Sequence, residues 1–167
     1  MTCKFIISPI CLIAFCATSL TLFAQDPEAA SGATMPPPPD FGDHSSQTLT
    51  SKAWNALGAK NYAHVLAYTG KCISLYSAEA LAMQAGLTAP APAETASSLW
   101  ALNDVGACYY IRGMAYEGMG KSDLAKADYK KLLEKLAFAQ VWDPKGWFWK
   151  PADAARQRLE VIAFDTL

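Results

Sequence analysis

Residues able to do chemistry are few in this chain, and they are widely spaced. Asp104 and Glu117 are the acids nearest each other in a suitable helix. Hydrolysis of a sugar bond needs two carboxyls roughly 5 to 9.5 Å apart, one of them able to give up a proton. Thirteen residues separate this pair, which places them about 20 Å apart along a helix rising 1.5 Å per residue. The two histidines are His44, in a Pro-rich stretch, and His64, beside a turn; neither has a nucleophile at a useful spacing. No HExxH, no CxxC and no phosphate-binding glycine loop occurs, so zinc and nucleotide chemistry lack their usual carriers. These residues imply no catalytic set, no metal and no cofactor.

Aromatic residues offer binding instead. Trp142, Trp147, Phe148 and Trp149 fall within eight positions. Exposed, the indoles of Trp142, Trp147 and Trp149 would stack on sugar rings as a glycan-binding patch; buried between the last two helices, they would supply a large apolar contact. Cys72 and Cys108 also have two readings. An oxidising compartment permits a disulfide between them, whereas inward helix positions suit two buried thiols acting as small hydrophobes.

The 167 residues suit one domain once the ends are discounted. With 14 basic and 15 acidic residues the formal charge is −1, so nucleic acid is not an expected partner. Residues 1–24 read as an export signal, with Lys4 as the single charge before the apolar run PICLIAFCATSLTLFA. Cleavage after Ala24 would remove Lys4 along with Cys3, Cys11 and Cys16, leave a net charge of −2, and send the chain to the periplasm or outside the cell. A retained anchor and a lipoprotein ending at Cys16 are the competing readings; with cleavage, membrane contact is confined to the signal before it is cut. Residues 25–47 are rich in Pro, Gly, Ser and acids and read as a linker without fixed structure. The folded domain is then 48–167.

Within that domain the elements are helices. Gly118-Met119-Gly120-Lys121 separates two amphipathic stretches, with Ser122 placed to cap the second. Gly58-Ala59-Lys60-Asn61 does the same earlier in the chain, starting a helix at Tyr62 that continues through Ser77 to Leu87. Pro90 and Pro92 end that helix. Trp100 and Leu102 are expected to enter the core. Ala125, Tyr129, Leu132 and Leu136 form an apolar stripe widened by Leu124 and Leu133, while Lys126, Lys130, Lys131 and Lys135 make a solvated face. Asp143-Pro144-Lys145-Gly146 is a turn, and Pro151 suits the first turn of a last helix.

The spacing Tyr109-x2-Arg112-Gly113-x2-Tyr116, followed by Ala125-x3-Tyr129, resembles the tetratricopeptide (TPR) pattern W-x2-L-G-x2-Y…A-x3-F. Arg112 stands where Leu is usual, and Ala137 where Pro is common. Aligning Lys60 with Gly120 gives a second unit offset by 60 residues, about 26 more than a contiguous repeat of 34. The resemblance implies an all-α, short TPR-like array of two helix pairs and a C-terminal capping helix. It also implies a concave groove for a protein or peptide partner, carried by register onto Trp54, Leu57, Tyr110, Met114 and Glu117; the alternative is that Trp54 and Met114 serve only as core. A second copy of the chain is a further partner for the open end of so short an array, as a homodimer. Together, WALNDV (from Trp100) and VWDPKGWFWKPADAA (from Val141) are similar to small exported bacterial TPR-type proteins, some labelled beta-glucanase. The E-x-D-x-x-E string of that enzyme type is missing here. The reading is a non-enzymatic interaction module of the cell envelope; the alternative is a carbohydrate-associated accessory protein using the tail aromatics.

Overall fold

Two chain reversals built the same way set the architecture. Helix α1 (Ser46–Gly58) and helix α2 (Tyr62–Ala85) are joined by a turn in which Asn61 N donates to Ala56 O and Lys60 N to Leu57 O. Helix α4 (Trp100–Gly118) and helix α5 (Ser122–Lys135) are joined likewise, with Lys121 N donating to Tyr116 O and Gly120 N to Glu117 O. Both are Schellman endings, in which one residue past the helix takes the left-handed conformation so that orphan carbonyls find donors. That residue is Lys60 (φ 55°) in the first turn and Gly120 (φ 69°) in the second.

The computed structural model describes residues 37–164. The expected signal segment and the first part of the expected linker lie outside them. The fold is mostly helical. Between the two pairs lies the short helix α3 (Ala93–Ala96); after them come strands β1 (Val141–Asp143) and β2 (Trp147–Trp149) and helix α6 (Pro151–Phe164). Helix α2 packs chiefly on α4, α1 on both, and α5 between α4 and α6. Leu49, Val65, Leu102, Ile111, Tyr129, Leu132 and Leu136 are fully buried at the centre. Gly113 lets α4 and α5 meet, because a Cβ there would stand inside the Tyr129 ring.

Several expectations are corrected. Residues 37–47 are held rather than loose, because their polar groups find partners on the domain. Lys52 pairs with Asp40 at 2.8 Å, Tyr76 Oη donates to His44 O at 2.8 Å, and Phe41 packs edge-on against Tyr68. Ser45 then caps α1 by accepting from Thr48 N. Ser122 is the first residue of α5 and not its cap; Lys121 precedes it without a side-chain capping bond. Trp100 is 45% exposed and meets Tyr76 edge-on at 5.6 Å, and Leu124 is exposed too. The Asp143–Gly146 turn closes a two-stranded hairpin, with Val141 opposite Trp149, Trp142 opposite Phe148 and Asp143 opposite Trp147. Two residues, Gln84 on α2 and Asn103 on α4, tie the helices to the approach of that hairpin. Gln84 accepts from Phe138 N, and Asn103 donates to Ala96 O while accepting from Gln140 N.

Candidate functional site

Of the five groove positions, three are engaged by the C-terminal segment. Trp54 on α1 and Tyr110 on α4 form a triangle with Trp149 of β2, at centroid separations of 6.4, 6.3 and 5.4 Å. Burial raises the pKa of Tyr110. Glu117 accepts from Tyr129 Oη and from both sides of the Arg158 guanidinium, so its carboxylate joins α4, α5 and α6. Burial and then the Glu117 contact push the Tyr129 phenol far up, and Glu117 holds the proton on Arg158. Leu57 packs partly buried against the core, and Met114 is half-buried. The groove expected to lie open is thus occupied by the chain's own hairpin and last helix. Glu117, tied to a guanidinium and a phenol, is not placed to share chemistry with Asp104.

Strand alternation separates the tail tryptophans. Trp147 and Trp149 lie on one face of the hairpin, Trp142 and Phe148 on the other. Trp149 turns inward, while Trp142 and Trp147 are 55% and 51% exposed. The three indoles therefore do not make the single stacking surface that their spacing suggested.

Clefts open on both sides of the hairpin, and Trp142 borders each. One, of about 490 Å³, runs along Trp54, Asn55, Pro144 and Trp149. The other, of about 660 Å³, is walled by Tyr76, Trp100, Trp142 and Phe148 over a polar floor of Ser46, Asn103 and Asp104. Asp104 Oδ2 accepts from Ser46 Oγ at 2.5 Å. Burial raises the Asp104 pKa, and the Ser46 bond only partly opposes this. Sequence reading placed Asp104 on α4 but did not bring Ser46 to it, since the two are 58 positions apart. Nor did it pair Arg112 with Asp128, whose oxygens take Arg112 Nε and Nη2 at 2.8 and 2.7 Å. A signal for the second pair was present: Arg112 lies six residues before Gly118 and Asp128 six after Ser122.

Cys72 and Cys108 are free thiols, both buried. Thr50 Oγ1 sits 3.9 Å from the first sulfur and 3.4 Å from the second, and burial pushes the Cys108 thiol up. Among the described residues no cluster of three His, Cys, Asp or Glu side chains is arranged to hold a metal ion, and no helix is long and apolar enough to cross a membrane. Comparison with family models, curated proteins and solved structures returned no match to this chain.

Proposed function

We propose that this chain is a non-enzymatic, exported interaction module of the cell envelope, formed by two TPR-like helix pairs and a capping helix, that binds a protein or peptide partner. The observation that carries this reading is the exposure of Trp100 and Trp142, which both line one cleft. Large aromatics that remain open beside a cleft are the residues from which interfaces draw most of their energy. The two equivalent Schellman turns, 60 residues apart, support the TPR-like pairing, with the long α2 and α3 as the insertion. Because Trp54, Tyr110 and Glu117 are engaged internally, the partner's place moves from the concave face to the cleft rims.

The test is affinity capture from the native envelope fraction with the full-length chain, beside a Trp100→Ala/Trp142→Ala variant whose circular dichroism is unchanged. A protein retained by the first and lost by the second is the expected result. Retention indifferent to both indoles would overturn the reading. Exposure of Trp142 and Trp147 favours a second reading, a carbohydrate-associated accessory protein. Cosedimentation with insoluble glucan, abolished in Trp142→Ala/Trp147→Ala, would support it.

A further inference from the structure

Asp104 carries the only formal charge among the residues lining the larger cleft. Its Oδ2 has one hydrogen bond, from a neutral hydroxyl. Oδ1 takes no hydrogen bond from the described residues, and among these no buried side-chain oxygen lacks a partner; Oδ1 therefore keeps an opening to the cleft. The start of α1 offers only the partial positive charge of a helix end, roughly half a unit at most. The carboxylate is thus largely desolvated without a compensating cation. Around it stand Tyr76, Trp100, Trp142 and Phe148. Aromatic faces attract cations through their quadrupoles, and the attraction strengthens when water is excluded.

We propose that the Asp104 cleft is a recognition pocket for a cationic side chain, an arginine or lysine of the peptide partner, held by the carboxylate and flanked by Trp100 and Trp142. This rests on the interaction-module reading and names the chemistry of its ligand. A sugar would use the same walls, but its hydroxyls would leave the negative charge uncompensated. The volume of about 660 Å³ exceeds one side chain, so flanking residues of the peptide have room beside it.

The experiment is a titration of the full-length chain with N-acetylarginine amide, with tetramethylammonium and with a neutral glucohexaose, followed through the indole N–H resonances. Wild type, Asp104→Asn and Trp142→Ala are compared. Asparagine keeps an oxygen for Ser46, and Trp142 is exposed, so both variants should fold; melting curves check this. Both cations should shift the Trp100 and Trp142 signals saturably, with a dissociation constant in the millimolar range. Asp104→Asn should weaken N-acetylarginine amide at least tenfold, and Trp142→Ala severalfold. Absence of a saturable shift, or equal affinity in Asp104→Asn, would overturn the proposal; so would saturation by the hexaose alone, which would transfer the pocket to the glycan reading. A captured protein retained equally by Asp104→Asn would sink the cation pocket and leave the interaction module standing.

Discussion

Arg112 forks onto both oxygens of Asp128 inside a helix interface, with side-chain exposures of 21% and 9%, and its guanidinium lies 5.2 Å from the centre of the Tyr109 ring. The pair occupies the position at which the resemblance leads one to expect Leu. Breaking a buried pair on one side strands the other charge, so Arg112→Leu should lower unfolding stability by about 3–5 kcal/mol in urea titrations. Arg112→Leu/Asp128→Leu should recover most of that loss, because neither charge is left behind. Asp104 behaves in the opposite sense. An acid whose folded pKa stands above its unfolded value holds its proton more tightly when folded. Its contribution therefore turns unfavourable as pH rises from the ordinary carboxylate range through the raised value. Asp104→Asn should accordingly melt higher than wild type at neutral pH, and the gap should close on acidification below the unfolded carboxylate pKa. A gap that widened in acid would contradict the burial of this group.

The two Schellman turns show what local sequence can and cannot specify. Gly58-Ala59-Lys60-Asn61 and Gly118-Met119-Gly120-Lys121 were legible because breakers interrupt a helical apolar period; α2 starts at Tyr62 as that pattern places it, while α5 starts at Ser122, the residue expected to cap it. Lys60, however, takes the left-handed conformation that Gly120 adopts without a Cβ. Since that conformation costs an L-residue about 1 kcal/mol or more, Lys60→Gly should stabilise by about 1 kcal/mol. Gly120→Ala should destabilise by a similar amount; nothing crowds a Cβ there, so the effect would be purely conformational. Chemical denaturation of the two variants measures both. Less legible were elements whose state depends on distant partners. Residues 37–47 have a linker's composition, yet Tyr68, Tyr76 and Lys52 hold them. Trp100 has a core residue's side chain but starts a helix at the cleft rim. For the site, Asp104 and the tryptophans were visible as residue types. Their grouping around a cleft required Ser46, Trp100 and Trp142 to converge from three elements, which no spacing rule encodes.

Across the whole molecule, the C-terminal segment closes what the helix pairs begin. Trp149 packs on both α1 and α4, and Arg158 holds Glu117 from α6. Shared packing of this kind couples the hairpin to the core, so far- and near-ultraviolet dichroism should report one coincident unfolding transition. Trp149→Ala should shift that transition down by about 2 kcal/mol, the scale of burying one large side chain. A separate early phase confined to the near-ultraviolet would mean that the hairpin comes away independently. The Trp54 and Trp149 rings, 6.3 Å apart and inclined at 66°, are also close enough for their excited states to mix. Seating of the hairpin therefore carries an intrinsic optical label: a split exciton band that disappears when either indole is removed and persists when Trp142 or Trp147 is. Arrival of the last strand during folding can then be timed by light absorption alone, without any dye attached.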